Sequence, residues 1–150
     1  MNELTLHVKS FNELTLNELY SLLHIRSQVF VNEQKCVYQD LDFNDQVCIH
    51  AWLTRGDKIV AMLRVCPAGV TNIPNVSIGR VITTERGKGY GEMIVREGLR
   101  LAVERLNAHA VQIHAQDQAR GFYEKVGFRA TSEPYIYEGL PHLDMLWTPQ

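Results

Sequence analysis

The fold is decided by the stretch Val76-Ser77-Ile78-Gly79-Arg80-Val81-Ile82-Thr83, which is followed closely by Arg86-Gly87-Lys88-Gly89-Tyr90-Gly91. The first run is apolar and rich in β-branched residues, which is typical of a buried strand. The second run is rich in glycine, which permits a tight turn. An amphipathic run from Glu92 to Leu106 comes next and predicts a helix. The pattern therefore indicates strand, glycine-rich turn and helix in succession.

A glycine-rich turn directly before a helix is suited to binding phosphate. The first N–H groups of a helix lack partners within the helix, and the peptide dipoles place partial positive charge at that end. Arg86 and Lys88 add full positive charges. The alternative is a surface turn that binds nothing, because a short glycine pattern alone is a weak indicator.

The strand before the turn alternates irregularly. Val76 and Ile78 share one face, Gly79-Arg80 interrupt the pattern, and Val81 and Ile82 are apolar in succession. A glycine combined with such a shift predicts a β-bulge, which would bend the strand and open a slot beside it. A fully buried strand without a bulge is the alternative.

Composition limits the class of protein. The 150 residues suit one domain, expected to span residues 1–150. A net charge of −2 gives no basic field for nucleic acid or an anionic membrane. The chain shows no signal-peptide pattern and no membrane-length apolar run, so we expect a cytoplasmic protein without nucleic-acid or membrane partners. The cysteines form no CxxC pair and the histidines no metal-binding spacing, so reduced thiols and no metal site are expected.

The remaining periodicity predicts one mixed α/β domain. Upstream we expect a strand over residues 4–9, a helix beginning at Thr15, and a hairpin of residues 48–53 and 59–65. Thr15 and Glu18 have the spacing of a capping box. Downstream we expect a strand over 110–115, a helix over 118–126, a strand over 128–131, a loop over 134–141 and a last strand over 143–147.

An acidic, irregular segment separates the first helix from the hairpin. Residues 31–45 carry four carboxylates against Lys35, and these are Glu33, Asp40, Asp42 and Asp45. The apolar residues Cys36, Val37 and Tyr38 within it indicate that the segment packs onto the domain. We interpret it as a loop whose charge favours a cationic ligand, whereas a merely solvated loop is the alternative.

Two spaced patterns resemble the signatures of the GNAT superfamily of N-acetyltransferases. Arg86-x-x-Gly89-x-Gly91 is similar to its coenzyme-A signature, and Gln116-x-x-Ala119-x-x-Phe122-Tyr123-x-x-x-Gly127-Phe128 is similar to its second signature. Residues 29–42 and Gly139-Leu140-Pro141-His142 resemble the ElaA-like branch. The resemblance implies a single GNAT-type domain of α/β (α+β) class. Its central sheet would be mixed, mostly antiparallel and twisted, with six to seven strands flanked by helices and a splay at the strand before the glycine-rich turn.

The resemblance also implies a reaction. An acetyl group would pass from acetyl-CoA, the donor substrate, to an amine by direct attack without a metal. Tyr123 is the implied general acid for the leaving sulfur, whereas a core aromatic beside Phe122 is the alternative. A backbone N–H near Val81 would stabilise the oxyanion. The expected donor-binding residues are Val81, Ile82, Thr83, Arg86, Gly87, Lys88, Gly89, Tyr90, Gly91 and Ala119.

The general base and the acceptor stay open. Glu33 and His142 belong to branch-specific motifs and are the preferred bases, with His50 and Glu92 as weaker candidates, and each has a structural alternative. The acceptor would be a small-molecule or protein amine, favoured as cationic by the acidic loop, and family analogy implies a homodimer. A catalytically silent acyl-CoA-binding sensor or regulatory domain is the alternative function. A nucleotide-binding loop is disfavoured because the GxxxxGK[ST] spacing is absent.

Overall fold

An eight-stranded mixed sheet forms the centre of the computed structural model, which describes residues 3–36 and 38–150. The strands are β1 (Leu4–Ser10), β2 (Ile49–Arg55), β3 (Lys58–Cys66), β4 (Val76–Thr83), β5 (Val111–Gln116), β6 (Arg129–Ala130), β7 (Tyr135–Tyr137) and β8 (Leu140–Trp147). The helices are α1 (Leu16–Arg26), α2 (Tyr90–Leu106) and α3 (Arg120–Val126).

The strand order is β1-β2-β3-β4-β5-β8-β6, with β7 also paired to β8. Within the described residues every pair is antiparallel except β4 with β5. The predicted fold class is therefore confirmed. The sheet has eight strands, one more than the six to seven that were expected. The additional strand is β7, which forms within residues 134–141, so the prediction of a loop there was wrong.

Helix α1 begins where its capping box predicts. The Glu18 N–H donates to Thr15 Oγ1 at 3.0 Å, and the Thr15 N–H donates to Glu18 Oε1 at 2.9 Å. Both bonds satisfy donors that a helix start leaves open. The chain then continues as a π-helical segment, Ser27–Glu33, so the first residues of the predicted loop over 31–45 are helical instead.

The acidic loop packs onto the sheet, as its apolar residues predict. Cys36 and Tyr38 lie against a cluster of buried side chains, which are Leu22, Phe30, Trp52, Met62 and Ile82. Burial raises the pKa of the Cys36 thiol above its ordinary value. Val37, the third apolar residue of that prediction, lies outside the described residues.

Gly98 lets α2 lie close to the sheet. A Cβ atom at this position would come within 3.0 Å of Ile78 Cδ1 and 3.1 Å of Leu63 Cδ2. The larger hydrophobic cluster, which contains both of these residues, is centred on this contact between α2 and the strands. Close helix–sheet packing therefore accounts for a glycine that costs on the order of 1 kcal/mol in helix propensity.

Replacing Gly98 with leucine is expected to lower the free energy of unfolding by roughly 1–3 kcal/mol, because the added side chain overpacks this contact. Urea unfolding followed by circular dichroism measures the change. Gly121→Ala in α3 is the matched control, since nothing lies within 4 Å of a Cβ there. The control should gain up to about 1 kcal/mol, and equal stability of Gly98→Leu and the unaltered protein would contradict the packing argument.

The described part of the chain offers neither a membrane-crossing helix nor a metal cluster. None of its helices is both long enough and apolar enough to cross a bilayer. Nor do three or more His, Cys, Asp or Glu side chains meet there in an arrangement able to hold a metal ion. Cys36, Cys48 and Cys66 are free thiols, and the sulfur atoms of the last two lie 2.7 Å apart.

Candidate active site

The two central strands of the sheet diverge soon after they begin to pair. β4 and β5 are joined through Val76 with Val111 and Ser77 with Gln112. Beyond Ser77 the β5 side of β4 has no strand partner among the described residues. The predicted splay is confirmed, and it leaves backbone N–H and C=O groups of β4 available along an open edge.

A β-bulge accompanies this divergence. Met62 of β3 lies opposite Ile82 and Arg64 lies opposite Gly79, so two residues of β4, Arg80 and Val81, share the space opposite one residue of β3. Arg80 has a φ of +52°, a left-handed conformation that costs an L-residue about 1–2 kcal/mol. The bulge predicted at Gly79-Arg80 is thus confirmed, with the extra residue at Arg80-Val81.

A cavity of about 600 Å³ opens where β4 and β5 diverge. Strands β4, β5 and β8, helix α3 and the loop after the π-helical segment all contribute to its walls. Lining residues that matter for chemistry include Gly79, Val81, His114, Ala119, Tyr123 and His142. Four of the predicted site residues, Val81, Ala119, Tyr123 and His142, therefore meet in one place.

The glycine-rich turn is exposed at the start of α2. Gly87 and Gly89 have φ values of +75° and +79°, which glycine adopts at little cost. Gly89 caps α2, and its carbonyl accepts from the Met93 N–H at 3.1 Å. Arg86 and Lys88 are exposed and form no ion pair within the described chain. The turn thus presents backbone N–H groups and two cations to solvent.

The turn is held close to the end of β4 and to α3. A Cβ atom at Gly91 would lie 3.0 Å from Thr83 Cγ2 and 3.4 Å from Phe122 Cζ. The side chains of Ile82 and Tyr90 are buried, so these two predicted residues can meet a ligand at the β4 edge or the turn only through their backbone.

Tyr123 lines the cavity from α3 with its ring held by two aromatic neighbours. Phe122 and Phe128 contact it edge-on, with ring centroids 5.0 Å and 5.6 Å away. Burial raises the pKa of Tyr123 to about 12. The hydroxyl therefore keeps its proton at neutral pH and can act as a proton donor.

The two preferred bases lie in different surroundings. His142 is 9% exposed, lines the cavity, and its Nδ1 lies 2.9 Å from the Leu140 carbonyl oxygen. Glu33 is exposed at the end of the π-helical segment and is not among the cavity-lining residues. The structure thus brings His142, but not Glu33, together with Tyr123.

The two weaker candidates also lie away from the cavity lining. His50 is buried with Nε2 2.9 Å from the Asp45 carbonyl oxygen, and burial lowers its pKa. Glu92 forms ion pairs with Arg96 at 3.0 Å and Lys125 at 3.3 Å. Both side chains are bound to partners within the fold, which favours a structural role for each of them over a role as the base.

Three arginines neutralise the aspartates of the acidic loop. The ion pairs are Arg26–Asp40 at 3.1 Å, Arg26–Asp45 at 2.8 Å, Arg64–Asp42 at 2.6 Å, Arg64–Asp45 at 2.8 Å and Arg80–Asp40 at 2.8 Å. The side chains of Arg26 and Arg64 are each 3% exposed. The three aspartates therefore have cationic partners within the protein, and the preference of the loop for a cationic ligand stays a prediction.

Sequence reasoning missed Arg64 and His114. The sequence position of Arg64 could have predicted its role, because an arginine within the apolar run of residues 59–65 is buried and needs an acidic partner. His114 alternates with Gln112 and Gln116 on β5, which marks a polar face of a central strand. That polar face borders the cavity through His114 and Gln116.

Diverging central strands, a glycine-rich helix start and a cavity lined by Tyr123 make up the candidate site. A family model described as the Acetyltransferase (GNAT) domain matches residues 25–149. The chain belongs to this family, and it is accordingly an acyltransferase. The predicted membership of the GNAT superfamily is confirmed.

Individual relatives support the branch as well. A UPF0039 protein of Schizosaccharomyces pombe is 34% identical over 149 residues, covering 97% of each chain. Protein ElaA of Escherichia coli is 34% identical over 140 residues, covering 89% of this chain and 90% of ElaA. The crystal structure of that ElaA superposes with a TM-score of 0.88 at 32% identity, covering 97% of this chain and 99% of ElaA.

A second solved structure is similarly close. The acyl-CoA N-acyltransferase from Pseudomonas aeruginosa superposes with a TM-score of 0.86 at 33% identity, covering 96% of this chain and 99% of that one. Together with ElaA, this similarity confirms both the GNAT fold and the ElaA-like branch.

Proposed function

We propose that the protein is an N-acetyltransferase that moves an acetyl group from acetyl-CoA to an amine by direct attack. The observation that carries the proposal is the open edge of β4, which leads from the cavity toward the exposed glycine-rich turn. The similar protein from Pseudomonas aeruginosa is an acyl-CoA N-acyltransferase, which supports a coenzyme-A thioester as donor and nitrogen as acceptor.

The donor would bind along β4 and the start of α2. Backbone N–H groups of residues 87–91, with the dipole of α2 behind them, suit the pyrophosphate, and Arg86 and Lys88 add charge. Backbone groups of Val81, Ile82 and Thr83 would pair with the amides of the pantetheine arm as a strand pairs with a sheet edge. Ala119 presents a small side chain to the cavity, which leaves space for this arm.

The thioester supplies an activated acyl group, and the chain's residues position it. Holding the amine and the carbonyl together converts an encounter in solution into a step within one complex. A backbone N–H near Val81 would stabilise the developing oxyanion. Tyr123, protonated in its aromatic surroundings, would protonate the sulfur as it leaves.

The acceptor would be an amine of a small molecule or a protein. The neutralised aspartates give no reason to prefer a cationic acceptor over a neutral one. His142 remains a residue of the proposed site because it lines the cavity, whereas Glu33 is left without a role there. A homodimer stays an expectation from family analogy.

Calorimetric titration with acetyl-CoA tests the donor site. The wild type is expected to bind saturably, and Gly89→Leu about tenfold more weakly, because a non-glycine residue at positive φ costs about 1–2 kcal/mol and shifts the turn. Gly69→Leu is the matched control, since Gly69 also has positive φ, at +84°, and open space around its Cβ position. Its affinity should equal that of the wild type.

Two results would count against the proposal. Absence of wild-type binding at millimolar acetyl-CoA would remove the donor site. Tight binding without turnover on any amine of a broad panel would favour the sensor or regulatory domain instead.

A further inference from the structure

A hydrogen-bonded group of His114, Asp144 and Tyr135 lies on the cavity side of β5, β7 and β8. His114 Nδ1 lies 2.7 Å from Asp144 Oδ1 and 2.7 Å from Tyr135 Oη. Tyr135 Oη donates to Asp144 Oδ1 at 2.5 Å. His114 itself lines the cavity.

The proton positions in this group follow from its donors and acceptors. Burial raises the pKa of Tyr135, and its hydrogen bond to Asp144 raises it further, so the phenol keeps its one hydrogen and gives it to the carboxylate. His114 Nδ1 then faces two acceptor oxygens and must carry a hydrogen itself. A neutral imidazole protonated at Nδ1 has its lone pair on Nε2. No described protein atom hydrogen-bonds to Nε2.

Asp144 is held rigidly enough to orient the ring. It is the direct cross-strand partner of His114 in the β5–β8 pair. Its N–H donates to Ser132 Oγ at 2.9 Å, and its carbonyl accepts from the Thr131 N–H at 2.9 Å. A carboxylate fixed on a strand both sets the tautomer of a neighbouring histidine and stabilises the imidazolium formed when Nε2 takes up a proton.

His114 also stands at the point where the sheet opens. The β4–β5 pairing ends at Ser77 with Gln112, and the same register would set His114 beside Gly79. Gly79 is the residue at which the bulge begins, and a Cβ there would meet nothing within 4 Å. Both residues line the cavity, so the imidazole adjoins the open stretch of β4.

We propose that His114 is the general base of the transfer and that Asp144 and Tyr135 are its positioning residues. This role rests on the proposed N-acetyltransferase function. The amine nitrogen forms a bond to the thioester carbonyl carbon while the carbon–sulfur bond breaks. The nitrogen gives its proton to His114 Nε2, and the sulfur takes the proton of Tyr123. Solvent then removes the proton from His114 and returns one to Tyr123.

His142 is the competing base in the same cavity, and its surroundings differ in one decisive respect. Its Nδ1 faces the neutral carbonyl of Leu140, which orients the ring but supplies no charge. An imidazolium at His114 would instead gain the stabilisation of the Asp144 carboxylate. His142 also pairs with Gln116, which lies four positions beyond Gln112 of the last β4–β5 pair, whereas His114 lies two positions beyond it.

Steady-state kinetics with acetyl-CoA and a panel of primary amines, namely spermidine, lysine and tyramine, tests the assignment. His114→Gln is expected to lower kcat about 10²- to 10⁴-fold, the usual contribution of a general base. Its affinity for acetyl-CoA should stay within about twofold of the wild type, because the donor phosphates bind elsewhere. His109→Gln, an exposed histidine outside the cavity lining, is the matched control and should keep wild-type activity.

The pH profile and chemical rescue separate a base from a structural residue. Free imidazole should restore part of the activity of His114→Ala. Asp144→Asn should move the acidic limb of the wild-type kcat profile to lower pH and reduce its plateau, because the imidazolium loses a neighbouring negative charge. Asp144 and Tyr135 contact the His114 ring, and Tyr137 stacks on it with ring centroids 6.4 Å apart. The further titratable or charged groups around the cavity include Arg80, Tyr123, Glu138 and His142.

Three outcomes would overturn the assignment. Activity of His114→Gln within threefold of the wild type would remove His114 as the base while leaving the transferase function intact. A larger loss in His142→Gln, together with disappearance of the acidic limb there, would transfer the role to His142. If the wild type binds acetyl-CoA yet acetylates no amine of the panel, the proposed function and the base fail together.

Discussion

Tyr123→Phe is expected to lower kcat by about 10²- to 10⁴-fold while leaving the affinity for acetyl-CoA unchanged within about twofold. The substitution removes one hydroxyl and keeps the ring, so the edge contacts with Phe122 and Phe128 survive. Since burial raises the pKa of Tyr123 to about 12, the hydroxyl in the wild type carries its proton throughout the neutral range. The loss should therefore appear in the chemical step at neutral pH.

Tyr20→Phe is the matched control for this experiment. Tyr20 is 76% exposed on α1, and removing its hydroxyl should alter neither binding nor turnover. Calorimetry with acetyl-CoA and thiol release during turnover measure the two quantities separately. Equal kcat for Tyr123→Phe and the wild type would show that the tyrosine is a packing residue and that solvent protonates the sulfur.

Asp45→Asn is expected to lower the free energy of unfolding by about 3–5 kcal/mol, the usual effect of breaking a buried ion pair. One oxygen, Asp45 Oδ1, accepts from both Arg26 Nη1 and Arg64 Nη1 at 2.8 Å. Asparagine would leave two nearly inaccessible guanidinium groups short of one negative charge. Asp57→Asn in the exposed β2–β3 turn is the control, with an expected change within about 0.5 kcal/mol.

The same substitution should reduce the dependence of stability on acidic pH. Burial alone would raise the pKa of Asp45, but hydrogen bonds and charge from Arg26 and Arg64 outweigh it, and the pKa lies below the ordinary value of 3.8. The stabilisation is therefore present above about pH 4 and is lost as pH falls through the lowered pKa of the folded state. Urea unfolding of both proteins between neutral and acidic pH measures this difference. Parallel stability curves would contradict the assigned ion pairs.

Local features of the fold and site could be predicted because their causes lie within a few residues. The capping box of Thr15 and Glu18, the positive φ at Gly87 and Gly89, and the bulge after Gly79 each follow from neighbouring side chains and backbone preferences. The ion pairs could not be predicted in this way. Arg26 and Asp45 are 19 residues apart, and Arg80 and Asp40 are 40 residues apart. Periodicity carries no information about contacts at such separations.

The strand β7 was missed for a different reason. The turn between β7 and β8 consists of Glu138 and Gly139, with φ values of +51° and +80°. Two successive positive φ values are those of a type I′ hairpin turn, which favours Asn or Asp before the glycine. Because glutamate occupies the first turn position, the sequence lacks the Asn-Gly or Asp-Gly pair that indicates a hairpin. Tyr135 and Tyr137 were therefore assigned to a loop. His114 became a candidate only when this hairpin brought Tyr135 beside Asp144.

The divergence of β4 and β5 divides the sheet into two four-stranded plates. They are joined directly by two residue pairs, and α2 packs on β2, β3 and β4, all of them in the first plate. Backbone amides along the open edge of β4 exchange their hydrogens with water until something pairs with them. A donor lying along that edge would form hydrogen bonds with the β4 groups that no strand of the described chain pairs with. Its binding energy would stabilise the folded state, so that the two plates would unfold more cooperatively. Substrate is then a structural component of the sheet as well as a reactant.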